Sequence, residues 1–546
     1  MIRYLNRNIL IYLTFILFVL HACSKDSLNE KLNTTNYASS IDTIYQGHLK
    51  NPGGLAVLNV KDIEDFTVFT FEKSKVYYLS NENLNSYQIN ENNWTIRLQY
   101  ADSTKQDIPY FGEDINISID SVELNPYDNA PLTAILSFTT PLPGKIRISV
   151  KSKNTSTPDI SANFTEYTKQ HEIPVYGLYG DYLNTIDIEF LDFYGNCRVQ
   201  TSVEIQTEPL GRIKAGTMTV SVNNYPDELK NRLFLIGNAI FDIDGEVRWY
   251  CLNSGYRFHI LHDNLIAIQR WADKGVVTDS NEIEIINLLG QHIRYYTVPH
   301  GLHHEINEKE PGGNILVASN RNDYQSIEDD TEDLVVELDR ETGEIVHTWN
   351  LYEIFDPTRP RLTTEKVNDW CHLNSIEYDP TDTTLIISSK LQYMIAKIHY
   401  NTGEIKWICG NHKNWKEAWQ PYLLTPTNFS TSVDSNADWT YEQHMPRLTP
   451  EGNLIIYDNG IQRPGGAYTR AVEYKINATD STVTKLWEYP LPGLATALGS
   501  VHKFENGNVL IGHGAKGYLY ELTQEKEIIF QAHSYSYYRA YPMQFY

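Results

Sequence analysis

The chain has 17 histidines, and several stand just ahead of a recurring strand-opening segment. His304 precedes Gly313-Asn314, and His372 with Asn374 precedes Thr384-Leu385. His444 precedes Gly452-Asn453, and His502 precedes Gly507-Asn508. A neutral imidazole is a nucleophile near neutral pH and also carries protons, so histidines meeting in one place can do group transfer. Side chains at equivalent positions of a closed repeat converge on its axis, where they form a pocket for a small polar ligand. One such histidine reads as structural; several in register read as a site. His303 and His304 are adjacent, and strand alternation predicts that only one of them faces the channel. His300 and Glu305 lie nearby. Their spacing fits neither the helical His-Glu-x-x-His motif nor a zinc finger, so no metal or other cofactor is expected.

The elements that must hold these residues are strands. Period-two alternation dominates after residue 30, as in Thr67-Val68-Phe69-Thr70-Phe71 and Lys145-Ile146-Arg147-Ile148-Ser149-Val150. From residue 211 to 546 a unit repeats: an apolar strand often opened by Gly-Asn, a strand often ending in Glu, then a Gly turn and often a Trp. Gly313-Asn314-Ile315-Leu316-Val317 with Val335-Val336-Glu337-Leu338 and Gly452-Asn453-Leu454-Ile455-Ile456 with Ala471-Val472-Glu473-Tyr474 are clear copies. Six copies, two of them looser, predict a six-bladed β-propeller in an all-β protein. Long insertions near Tyr352–Asp369 and Leu423–Tyr441 are expected to shape a site at one end. Residues 119–210 carry strands at sandwich spacing and predict an Ig-like β-sandwich. Residues 47–118 form a smaller β-rich region with a weaker signal. They read either as an extra sandwich that helps two copies pair as a homodimer or as a spacer.

The amino-terminal segment reads as an address. Arg3 and Arg7 precede an apolar run from Ile9 to Leu20, too short for a comfortable span. Leu20-His21-Ala22-Cys23 resembles a bacterial lipobox, so residues 1–22 are expected to be cleaved as a signal peptide and Cys23 to carry lipid. Residues 23–46 then form a polar tether. The expected location is the periplasmic side of a bacterial inner membrane or an outer membrane. Cys197, Cys251, Cys371 and Cys409 show no paired zinc spacing; a disulfide among them or buried free thiols both fit. With 69 acidic against 45 basic residues the net charge is −24, which excludes a general nucleic-acid binder. A local pocket for a small anion remains compatible with that charge.

Three segments together resemble a known family. Asp369-Trp370-Cys371-His372-Leu373-Asn374-Ser375-Ile376-Glu377-Tyr378-Asp379-Pro380, followed by Ser388-Ser389-Lys390, is similar to a motif of the bacterial arylsulfate sulfotransferases, which work without a nucleotide sulfate donor. Gln443-His444 leading into Tyr457-Asp458-Asn459-Gly460 resembles that family's nucleophile segment. His303-His304-Glu305-Ile306 resembles its early histidine motif. In the sandwich, Asn125-Pro126-Tyr127-Asp128-Asn129-Ala130-Pro131 and His171-Glu172-Ile173-Pro174-Val175-Tyr176-Gly177 resemble its amino-terminal domain. The resemblance implies a propeller enzyme that moves a sulfuryl group from a phenolic sulfate ester to a phenol by a ping-pong route. It implies His444 as the nucleophile that becomes a sulfohistidine, His304 and His372 as its catalytic partners, and Asn374 and Lys390 as substrate-binding residues. Lys390 stands where the family usually has Arg, exchanging a planar fork for a point charge.

Other readings compete. A non-catalytic surface propeller lipoprotein binding glycan or protein would keep the repeats but not need aligned histidines. Leu338-Asp339-Arg340-Glu341-Thr342-Gly343-Glu344 with Trp349 faintly echoes a quinone-dependent dehydrogenase blade. A sulfohydrolase would use water as acceptor.

Overall fold

The computed structural model describes residues 43–45, 47–50, 55–72, 75–112, 117–193, 195–211, 213, 216–253, 255–270, 281–320, 333–362, 369–430, 432 and 438–546. The segment expected to be a signal peptide, residues 1–22, and Cys23 lie outside the described residues. Strands dominate throughout, as the alternating pattern requires.

Residues 47–118 pack as two small sheets. A four-stranded sheet holds Val57–Ile63, Phe66–Phe71 and Lys75–Ser80; a three-stranded one holds Leu84–Asn90, Thr95–Tyr100 and Lys105–Pro109. Phe69, Phe71, Leu79, Ile96, Leu98 and Ile108 form the buried layer between them. Three residues of the segment read as tether, Thr43–Tyr45, pair in parallel with Lys75–Ser80. Trp94 and Phe111 leave this layer and pack into the core of the next unit. There the long strands Ala134–Val150 and Ile160–Val175 pair antiparallel, and Leu183–Leu191 and Cys197–Gln206 continue the sheet. Alternation along Leu183–Leu191 buries Ile186, Ile188 and Phe190 on one face. That core runs on into the carboxy-terminal unit through Phe234, Phe241 and Phe530. The fully buried Arg248 clamps the two units: it donates twice to the Gly177 carbonyl, at 2.9 and 2.7 Å, and pairs with Asp242 at 3.1 Å.

From Thr219 onward the described strands form a β-propeller, and their pairing makes six sheets of four or five strands, antiparallel except where the short strand Thr425–Pro426 adds in parallel to Thr482–Pro490. The middle strands Ile315–Ser319, Thr384–Ser389, Leu454–Asp458 and Val509–His513 are buried along their whole length. Both faces of these strands are covered by neighbouring sheets, which is why the sequence shows continuous apolar runs there. Each buried Ile, Leu or Val contributes roughly 1.5–3 kcal/mol of apolar transfer. The Gly-Asn and Glu of the repeat are partners: Asn314 donates to Glu337 at 2.8 Å, Asn453 to Glu473 at 2.8 Å and Asn508 to Glu521 at 2.9 Å. In the sheet that contains Thr384–Ser389 the same place is filled by Lys397 paired with Asp379 and Asp382, each at 2.7 Å.

The innermost strands follow one another around the axis. Gly255–Ile260 touches Leu302–Glu308, which touches Leu373–Asp379, then His444–Leu448, then Ser500–Lys503, then Ala540–Met543. Tyr541 Oη and His259 Nδ1, 3.0 Å apart, join the last strand to the first. The two ends of this unit complete two sheets: Ala540–Met543 pairs with Leu233–Ile236, and Thr219–Asn223 adds outside Ile528–His533. This interlocking lets a ring of sheets close without an exposed edge at the seam.

Candidate active site

The three predicted histidines open three successive inner strands through the same backbone device. His304 and His372 take left-handed backbone angles, φ +54° and +49°, and His444 is flanked by Glu442 and Met445 at +56° and +46°. Each strand shows a break in pairing register there: between Leu302 and Ile306, between Leu373 and Ser375, and between His444 and Arg447. A bulge re-aims side chains that ordinary pleating would send elsewhere. Left-handed φ at a non-glycine residue costs about 1–3 kcal/mol and persists where surrounding packing enforces it, commonly at functional sites.

The bulge corrects one sequence expectation. Adjacent His303 and His304 do not point to opposite faces; their Nδ1 atoms lie 3.0 Å apart and both side chains are buried. Alternation applies only to regular strand, and the left-handed turn at His304 removes it.

His444 is held in a defined tautomer. Its Nδ1 faces Asn459 Oδ1 at 2.7 Å and the Glu442 carbonyl at 3.2 Å. The Asn459 amide is oriented by its Nδ2, which donates to the Ala495 and Leu498 carbonyls at 3.1 and 3.2 Å. Both neighbours of Nδ1 are therefore acceptors, so Nδ1 carries the proton and Nε2 keeps its lone pair. Burial pushes the imidazole down to about 3, and the Lys390 cation adds to that. His444 is thus a neutral base over the whole physiological range. Gly460 makes the turn after Asn459 with φ +70°, where a Cβ would meet the Tyr468 carbonyl oxygen at 2.0 Å.

His372 is the opposite case. Asp369 receives the backbone N–H groups of Cys371 and His372 on Oδ1, at 3.1 and 2.8 Å, and faces His372 Nδ1 with Oδ2 at 2.7 Å. A carboxylate there stabilises the imidazolium, so His372 is built to accept and return a proton. The His304 and His372 rings stand 4.6 Å apart, edge to face. Burial holds His304 well below its ordinary value, with the Arg257 cation and the neighbouring histidines acting in the same direction. Tyr538 Oη donates to the His304 carbonyl at 3.0 Å.

The two remaining predicted residues join the group. Lys390 is 7% exposed and stands 3.7 Å from Glu442. Its backbone N–H donates to the His372 carbonyl at 3.2 Å. Asn374 donates to the Gln443 carbonyl at 2.7 Å, tying the strand of His372 to the residue before His444. Its Oδ1 is buried and accepts no hydrogen bond among the described residues. Beneath them Glu305 is bound by Arg447 at 3.1 Å and Arg539 at 2.8 Å. Burial opposes its charge, yet the two guanidiniums outweigh that and hold its carboxyl at about 2. Glu305 is therefore a bolt between inner strands rather than a metal ligand. His502 donates from Nε2 to the Ala540 carbonyl at 3.1 Å and serves the same framework.

Sequence reasoning gave no role to Asp369, Asn459, Arg257 or Tyr538. Asp369 carried a usable signal, since Asp three residues before His in an irregular segment forms just such a turn. Asn459 lies far from His444 in sequence, and only the antiparallel pairing of His444 with Tyr457 brings it near. Cys251, Cys371 and Cys409 are buried free thiols, so no bridge joins any two of the four downstream cysteines.

Known proteins resemble this chain in sequence. The arylsulfotransferase family model matches residues 219–539, and the arylsulfotransferase Ig-like domain model matches residues 121–208. The arylsulfate sulfotransferase AssT of Escherichia coli O6:H1 is 23% identical over 519 residues, spanning 74% of this chain and 86% of its own. That of Lelliottia amnigena is 22% identical over 479 residues, spanning 68% of this chain and 79% of its own. Among solved structures, selenomethionine-substituted virginiamycin B lyase from Staphylococcus aureus matches with a TM-score of 0.32 at 12% identity, over 57% of this chain and 88% of that one.

Proposed function

Because the chain belongs to the arylsulfotransferase family and is an aryl-sulfate sulfotransferase, we propose that it works by a ping-pong route through a sulfohistidine at His444. The observation that carries this reading is the His444–Asn459 hydrogen bond, which leaves the Nε2 lone pair on a neutral imidazole within electrostatic reach of His372 and His304.

In the first half-reaction Nε2 of His444 attacks the sulfur of a phenolic sulfate ester. The N–S bond forms as the S–O bond to the ring breaks, and the bonding pair leaves on the phenolate. His444 becomes an N-sulfonated imidazolium, and Asn459 Oδ1 accepts a hydrogen bond from its Nδ1–H. His372, whose extra proton Asp369 stabilises, protonates the departing oxygen. His304, kept neutral, donates or accepts a hydrogen bond without itself ionising. Lys390 neutralises charge on the sulfuryl oxygens, and Asn374 orients the oxygen of the phenol. Such transfer depends on positioning and fixed charge more than on covalent assistance, as in phosphoryl transfer. In the second half-reaction a different phenol gives its proton to His372 and attacks the sulfur, and the N–S bond breaks.

We read each of the six sheets as one blade. We also propose export as a lipoprotein anchored through Cys23, with the enzyme on the outer side of a bacterial membrane.

Purified protein is expected to release nitrophenol from p-nitrophenyl sulfate, faster when phenol is added. Mass spectrometry of donor-treated protein should find added SO3 on the peptide containing His444, and His444→Ala should lose both signals. Release indifferent to phenol would replace transfer by hydrolysis. The absence of any release, with a folded protein, would favour a binding propeller.

A further inference from the structure

The inner strand Gly255–Ile260 brings one more cation to the group. Arg257 is 4% exposed, and its Nη1 donates to Gln269 Oε1 at 2.8 Å. Gln269 in turn donates to the Leu302 carbonyl at 2.9 Å, at the start of the His304 strand. The guanidinium lies 4.8 Å from the centre of the Tyr538 ring, and the Tyr538 hydroxyl holds the His304 carbonyl. Arg257 therefore acts on His304 across one ring, and its charge is the strongest cationic influence on that imidazole.

The other buried cations around the site are matched. Lys390 faces Glu442, while Arg447 and Arg539 share Glu305. Arg257 has no carboxylate partner among the described residues, and its buried Nε makes no hydrogen bond there. An arginine withdrawn from water costs several kcal/mol unless an anion completes it. Its planar fork suits two oxygens of a tetrahedral anion.

We propose that Arg257 is a substrate-contacting residue that binds the sulfate oxygens of the aryl sulfate donor from the His304 side, opposite Lys390. It supplies the bidentate contact that the lysine at position 390 lacks. This rests on the sulfotransfer reading above.

The test compares Arg257→Gln and Arg257→Lys with wild-type protein, after thermal melts establish that each folds. Donor and acceptor are varied separately. Arg257→Gln is expected to raise KM for p-nitrophenyl sulfate at least tenfold and leave KM for phenol within a factor of about two. Arg257→Lys should fall between, and added guanidinium should partly restore Arg257→Gln. Equal loss toward donor and acceptor, or no loss toward donor, would overturn the assignment. Calorimetric titration with phenyl sulfate separates this from failure of the sulfotransfer reading, because it needs no turnover. Wild-type binding that weakens at least tenfold in Arg257→Gln supports the anion site even in an inactive protein. Binding unchanged by the substitution, or no binding by wild type, would overturn it.

Discussion

Asn459 Oδ1 lies 2.7 Å from His444 Nδ1 and fixes which nitrogen of that imidazole is free to react. The two residues sit on opposite sides of a strand pair, and the amide is itself locked by two backbone carbonyls. Replacing it therefore tests tautomer control without touching the nucleophile.

Asn459→Ala is expected to lower kcat by about 10–100-fold with little change in donor KM, since outer partners of a reactive imidazole typically matter to that extent. Asn459→Asp should place an anion on Nδ1 and favour the imidazolium. His444, now held at about 3 by burial and Lys390, would titrate at higher pH, and activity would be lost from the acid side upward. A kcat/KM profile superimposable on wild type would refute the role.

Asp369→Asn should remove the group that stabilises a protonated His372. The loss depends on the leaving group. Phenols of high pKa need the proton, and their donors should slow by about 10²–10⁴. p-Nitrophenolate leaves well unaided, and its sulfate should be much less affected. A uniform loss over a series of substituted phenyl sulfates would show that Asp369 only supports the loop.

Lys390 can be probed by charge. Lys390→Met should reduce activity at least a hundredfold by removing fixed positive charge from the sulfuryl oxygens. It should also destabilise the fold by on the order of 3 kcal/mol, because Glu442 loses a buried countercharge. Lys390→Arg keeps the charge and should retain activity to within about tenfold. An active methionine variant would remove Lys390 from the site.

Acid should unfold this protein early. Burial holds His171 down to about 4, His259, His444 and His502 to about 3, and His304 well below its usual value. These bases have depressed folded values, so unfolded chains take up protons that the folded state refuses. Stability is full above the unfolded value of about 6.5 and falls as pH drops toward the folded values, by up to about 1.4 kcal/mol per pH unit for each histidine. Glu377, raised by burial to about 7, and Asp242, also raised by burial, work the other way but are two groups against these five. Melting temperatures should be level above about pH 7 and decline steeply toward about pH 4. A flat curve down to about pH 5 would contradict the buried neutral histidines.

The repeat was readable because it is written in chemistry that each sheet reuses. The Asn at the strand start and the Glu in the next strand meet inside one sheet, so their spacing survives in sequence. The continuous apolar runs were readable for the same reason, since each middle strand is covered on both sides. The histidines stood out by their constant place before those runs. The small sandwich at residues 47–118 was faint because many of its strand residues face solvent and its core is thin.

Sequence alone determined that strands repeat, and that His304, His372 and His444 open successive units, because both facts depend on local pattern. It could not determine what each imidazole does. Tertiary structure gave His444 its free Nε2 and His304 its cationic neighbour, through Asn459 and Arg257, 15 and 47 positions away, whereas Asp369 stands only three residues before His372. Protonation is decided by burial and by the nearest charge, and for His444 and His304 those are properties of the closed ring rather than of any segment within it.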